Sequence, residues 1–136
     1  MIFRRFSLNA SNLFHLPPDL DKVADLVGEL LNLLEDVATD RMVTELVLTE
    51  AINNAIVHGV SVEKSGPITV KLNWQEKRVI VEITDPNGRL TQEMLEQAQM
   101  PDHDQTHGRG LPLITQLVPD VFINQGTLCL PLSTNA

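Results

Sequence analysis

The sequence predicts an α+β fold: a two-layer α/β sandwich whose mixed, mostly antiparallel sheet carries its helices on one face. Three observations lead there. Two long blocks, residues 19–37 and 45–58, place apolar residues at helical spacing. Two runs, Ile68–Trp74 and Arg78–Thr84, alternate apolar with polar around the short turn Gln75-Glu-Lys77 and read as an antiparallel hairpin. A closing hairpin, Val121–Ile123 with Thr127–Leu132, surrounds Asn124-Gln-Gly126. Helices in blocks and strands in hairpins belong to α+β rather than to an alternating parallel sheet.

Each element has its own reason. Residues 2–8 read as an edge strand, and the polar, proline-punctuated stretch 9–18 as a connector. In residues 19–37, Leu20, Val23, Ala24, Val27, Leu30, Leu31 and Leu34 recur at helical spacing, with Asp19 or Asp21 at the start. Thr39 or Asp40 can cap the second helix, which runs through good helix formers until Gly59 supplies a stop. Residues 60–67 form a turn-rich loop before the first hairpin. Thr91–Met100 is weakly helical and residues 101–107 are a loop. Gly110–Leu117 is a short helix in which Pro112 fits only within the first turn. Residues 133–136 read as a frayed tail.

Bulk properties narrow the function. The chain of 136 residues fits one domain, 1–136, with 43% hydrophobic residues, an ordinary globular share. A net charge of -8 argues against direct binding to nucleic acid, which needs a basic face. Met-Ile-Phe-Arg-Arg-Phe-Ser has no long apolar core after its arginines, so it does not read as a signal peptide. No apolar run approaches a membrane span, and the cytoplasm is the expected compartment. The single cysteine, Cys129, lies in an apolar strand and reads as a packed residue rather than a nucleophile.

The second helix organises the rest. At roughly 100° per residue, Asn54 falls about 40° and His58 about 80° from Glu50, so three polar groups climb one edge. Val43, Leu46, Val47 and Val57 share their sector, Leu48, Ile52, Ala55 and Ile56 lie opposite, and only Glu45, Thr49 and Asn53 look suited to water. The pattern is that of a buried helix with a carboxylate, an amide and an imidazole set in an apolar wall, groups that need a pocket, a ligand or each other. Spacing alone fits a solvated stripe as well.

Two further motifs follow in order. Thr84-Asp85-Pro-Asn87-Gly88 ends a strand and, read from residue types, is a sharp turn. His107-Gly108-Arg109-Gly110-Leu111 places glycines before a helix, whose start offers free N–H groups to phosphate. Glu50-Ala-x-x-Asn54-Ala-x-x-His58-Gly59 resembles the N-box of the GHKL (Bergerat-fold) ATPases. The wording around it is most similar to the RsbW-type anti-sigma-factor serine kinases. Gly108–Leu111 resembles the Gly-x-Gly-Leu box that ends that superfamily's ATP lid, and Gly126-Thr127 its last, weaker element.

The resemblance covers about residues 20–132 and implies the Bergerat fold, with a lid at about 89–109. It implies ATP with Mg²⁺ as cofactor, Asn54 as the Mg²⁺ ligand and Glu50 as general base. His58, Gly108, Arg109, Gly110 and Leu111 would border the nucleotide, Asp85 would accept from the adenine amino group, and Thr127 would border the adenine pocket. The family usually writes Asp-x-Gly-x-Gly where this chain has Asp85-x-Asn87-Gly88, so Asn87 would have to supply the conformation that glycine gives freely. The implied partners are a STAS-domain anti-anti-sigma factor, whose serine is phosphorylated, a sigma factor, and a second copy in a homodimer.

Other readings are open. A non-catalytic switch of the same fold would sequester a protein without phosphate transfer. A detached histidine-kinase catalytic domain would need a phosphoacceptor histidine on a helical hairpin, for which the chain has no room. His103 and His107, with Asp102 and Asp104, have zinc-type donors, but in a proline-bounded loop without cysteine they read better as solvated lid residues.

Overall fold

The structure, a computed structural model, describes residues 12–59, 66–88, 90–98 and 110–135. The strand expected at 2–8 and the histidine-rich stretch 102–107 lie outside them. The elements are β1 (Asn12–Leu16), α1 (Val23–Leu33) after a 3-10 turn at Leu20–Lys22, α2 (Arg41–Gly59), β2 (Ile68–Trp74) and β3 (Arg78–Thr84). They continue with α3 (Gln92–Gln97), α4 (Gly110–Leu117), β4 (Phe122–Asn124) and β5 (Thr127–Ser133). The five strands form one sheet in the order β1-β2-β3-β5-β4, and every pairing is antiparallel. The α+β sandwich expected from the pattern is therefore the observed one, and its described sheet has no parallel pair.

Alternation builds the sheet's packed face. Val70, Leu72, Val81, Ile83, Leu128 and Leu130 are paired across β2, β3 and β5 and all join the core. Against them α1 sets Val23, Leu26, Val27, Leu30 and Leu31, and α2 sets Val47, Leu48, Ala51, Ile52, Ala55 and Ile56. Burying each large aliphatic side chain contributes about 1.5–3 kcal/mol, and truncating one such as Leu48 costs about 2–5 kcal/mol. Ile80 and Cys129 are buried as well, but they alternate with the core residues on the opposite face and stand outside that cluster.

Three sequence expectations need correction. The connector at 9–18 contains β1: Phe14 and Leu16 pair with Val70 and Ile68, while Leu13 and His15 face solvent, and Pro17-Pro18 ends the strand. The five-residue alternation is real but too short to stand out beside the prolines.

The first helix stops at Leu33 rather than Val37, with the N–H of Leu34 donating to Leu30 O at 2.9 Å. The tail is held rather than frayed over its described residues 133–135. Ala38 N donates to Ser133 O at 2.8 Å, Thr134 N to Lys77 O at 3.0 Å and Asn135 N to Asp36 O at 2.8 Å. Backbone groups at 36–38 thus leave the helix to hold the chain end, a pairing no local pattern reveals. Among the described residues no helix is long and apolar enough to cross a membrane.

Candidate functional site

The start of α2 is fixed by its cap. Asp40 Oδ1 accepts from Met42 N at 2.8 Å and from Val43 N at 3.4 Å, satisfying two of the free N–H groups of the first turn. From there the helix carries Glu50 and Asn54 one turn apart. Asn54 is only 7% exposed, and its Nδ2 has no hydrogen-bond partner. A buried amide left in that state costs about 1–3 kcal/mol, so it marks a place where a partner is missing. Glu50 is half-buried beside it. His58 belongs to the last turn of α2, and its side chain lies outside the described residues.

The apolar wall expected around these groups is only half there. Val47 is buried, but Leu46 is 42% and Val57 60% exposed, and Met42, on the same line, is 80% exposed. A helical wheel identifies sectors but not what covers them. The sheet, α1 and α4 cover the other sides of α2, and the line from Met42 through Leu46 to Val57 opens to solvent past Glu50.

The opposing wall is α4, which packs on α2. A Cβ added to Gly110, the first residue of α4, would lie 3.4 Å from Glu50 Oε2, 3.5 Å from Glu50 O and 3.8 Å from Asn54 Cβ. A helix start is thereby pressed against the Glu50 carboxylate and the base of the Asn54 side chain. Pro112 sits in the first turn, where its missing N–H costs no helical bond, and Thr115 Oγ1 donates to Pro112 O at 2.8 Å. Leu111 is buried and anchors that turn in the core. Gly108 and Arg109 lie outside the described residues.

Asp85 follows β3, which packs against α2. It is 6% exposed, and its Oδ1 accepts from Asn87 N and Gly88 N, each at 2.7 Å. The turn that residue types predict is therefore built, and one carboxylate oxygen closes it. The other oxygen carries no hydrogen bond to a described residue. The left-handed position of the turn is Gly88, at φ +57°, and not Asn87. Thr127 pairs with Thr84, and their hydroxyls are 2.8 Å apart. Both alternate with core residues, so this hydroxyl is engaged by Thr84 on the face away from the helices.

Within the expected lid, Thr91 Oγ1 caps α3 by accepting from Met94 N at 3.1 Å, and Leu90, Leu95 and Ala98 are buried in the core. The start of that segment is therefore anchored. Gly126 is expected in the Asn124-Gln-Gly126 turn and, with Thr127, as the last, weaker element of the resemblance. The structure places it against Gly88, and the signal for it was the Asn-Gln-Gly hairpin turn. Cys129 is buried, its Sγ–H donating to Thr127 O at 3.6 Å. Burial, with Glu82 nearby, pushes its thiol up to about 11, against a smaller opposing effect of the Asn124 backbone. Among the described residues no cluster of three or more His, Cys, Asp or Glu side chains is placed to hold a metal ion.

A search of curated proteins gives no match. The family model described as the histidine kinase-like ATPase domain matches residues 16–133, nearly the whole described fold. With Glu50, Asn54 and Gly110 gathered at one site on this sandwich, the chain belongs to the family of histidine kinase-like ATPase domains.

Proposed function

We propose that the chain is an ATP-dependent serine protein kinase and anti-sigma factor, acting on a serine of a STAS-domain anti-anti-sigma factor. The observation that carries this reading is the placement of Gly110 at the start of α4 against Glu50 and Asn54. Free N–H groups at a helix start attract phosphate, and the close glycine leaves the backbone accessible. Glu50 stands at the solvent-facing edge of that site, where a carboxylate can accept the proton of an incoming hydroxyl. Leu46 and Val57, exposed on either side of it along α2, offer a protein substrate an apolar approach.

The residues also fit Mg²⁺. A half-turn of the Asn54 amide brings its oxygen to the unpartnered position, and Mg²⁺ prefers such hard oxygen ligands. When bound, the ion neutralises charge on the phosphates. Asn54 would hold it, Glu50 would orient the hydroxyl, and Asp85 would present its free oxygen to the adenine amino group.

In a partner-switching system, the unphosphorylated antagonist and a sigma factor would compete for this chain, most simply as a homodimer. One observation favours the second reading, a non-catalytic switch. The Asp85 carboxylate is partly committed to its own turn, in a motif that departs from the family's spacing.

Incubation with labelled ATP and the STAS partner separates the two. The kinase reading expects label on a partner serine, and Glu50→Gln to slow transfer about 10²–10⁴-fold while ATP affinity changes little. A wild-type chain that binds ATP and partner yet labels no serine over hours is a switch, not a kinase.

A further inference from the structure

We propose that the β4–β5 hairpin is a bracket that positions the Asp85 turn and the root of the lid, with Gly126 as its positioning residue. The inference rests on the reading that Asp85 meets the nucleotide base. Gln125 at φ +50° and Gly126 at φ +81° form a two-residue turn with both centres left-handed, the type that matches the twist of paired strands. That turn sits on the backbone of Gly88. A Cβ added to Gly126 would lie 2.5 Å from Gly88 O, 2.8 Å from Gly88 Cα and 2.9 Å from Gly88 C. These are backbone atoms, so no rotamer change relieves the overlap.

The contact is one-sided. Among the described residues, a Cβ at Gly88 would meet Gly126 Cα alone, at 3.9 Å. Gly88 is itself held at φ +57°, and the close approach of Gly126 adds a second limit on the Asp85 turn.

What Gly126 limits is the carboxylate. Asn87 N and Gly88 N both donate to Asp85 Oδ1 at 2.7 Å, so displacing Gly88 pulls the two donors from that oxygen and lets the side chain turn. On its β4 strand the same hairpin holds the lid's root: Ile123 N donates to the side-chain Oε1 of Gln92, the first residue of α3, at 2.8 Å. This also occupies an amide on the sheet's edge strand. One hairpin therefore touches the chain at Gly88 and again at Gln92, on either side of the step from base-reading turn to lid. Base selectivity in this chain depends on a glycine outside the Asp85 motif.

The test is Gly126→Asn, because Asn tolerates a left-handed φ while still adding the Cβ. Gly28→Ala serves as control, since nothing lies within 4 Å of a Cβ there. The bracket predicts that Gly126→Asn raises amide exchange at Asn87 and Gly88 about tenfold or more in the nucleotide-free protein. It also predicts that the variant weakens ATP binding about tenfold, and that Gly28→Ala changes neither. A folded Gly126→Asn chain with wild-type exchange at Asn87 and Gly88 overturns the bracket.

If that variant does not fold, native-state exchange of the wild-type chain decides. Amides at 87–88 and 125–127 should open together with one free energy, and independent opening of 87–88 overturns the proposal. A wild-type chain that binds no ATP removes the nucleotide reading instead, and the exchange result still stands for the bracket.

Discussion

Gly110 lies so close to Glu50 that a Cβ on the glycine would sit 3.4 Å from the carboxylate Oε2. Two segments sixty residues apart in sequence thereby share one surface. The distance is an ordinary van der Waals contact, and Gly110 has no left-handed φ. Gly110→Ala should therefore fold, with stability changed by no more than about 1 kcal/mol. Its methyl group would fill the space a phosphate needs, and ATP affinity should fall about tenfold or more. Calorimetry with Mg-ATP on a chain of unchanged melting temperature checks this; wild-type affinity would move the phosphates elsewhere.

One oxygen of Asp85 closes its own turn, the other carries no hydrogen bond to a described residue, and two substitutions separate them. Asp85→Asn retains an acceptor for Asn87 N and Gly88 N but changes the free oxygen to a donor. It should leave the fold intact, weaken ATP about tenfold and erase a preference over GTP. Asp85→Ala opens the turn as well, with an added loss of stability of about 1–3 kcal/mol from the unsatisfied amides. Equal affinity of the wild-type chain for ATP and GTP would take Asp85 out of base recognition.

The cap at Asp40 predicts a purely structural effect. Asp40→Ala removes the acceptor for Met42 N and Val43 N and should cost about 1 kcal/mol. For a chain of this size the melting temperature should fall by about 3–5 °C. Asp40→Ser should recover most of it, and an unchanged melting temperature for Asp40→Ala would mean that solvent replaces the cap without loss.

Cys129 predicts a dependence on alkaline pH. Its thiol is raised to about 11 in the folded chain from an ordinary 9.0. The unfolded chain therefore loses this proton first, and the folded state is favoured by the group fully below about pH 9. That contribution disappears as pH rises through about 11. Cys129→Ala should remove this part of the alkaline decline seen in denaturant titrations. In the native chain the thiol should react with a disulfide reagent at neutral pH only at the rate of unfolding. Rapid labelling without unfolding would contradict its burial.

Local periodicity was enough for much of the fold. The hairpin Ile68–Trp74 with Arg78–Thr84 and the helix Gly110–Leu117 have the bounds their alternation and glycine placement predict. Glu50 and Asn54 were likewise legible, because i, i+4 spacing on a helix fixes their relation without reference to anything else. The structure alone decided relations between segments. Leu46 and Val57 face solvent because α1, α4 and the sheet cover other sides of α2, and no wheel contains those neighbours.

The tail is held, and α1 is cut short, because backbone groups at 36–38 and 133–135 find each other. Gly110 meets Glu50, and Gly126 meets Gly88, only once the core has set α4 on α2 and β5 beside β3. Spacing along a chain determines which groups share a face. Which faces meet is set by burial of the whole apolar surface at once, a property of the packed molecule and of no single stretch.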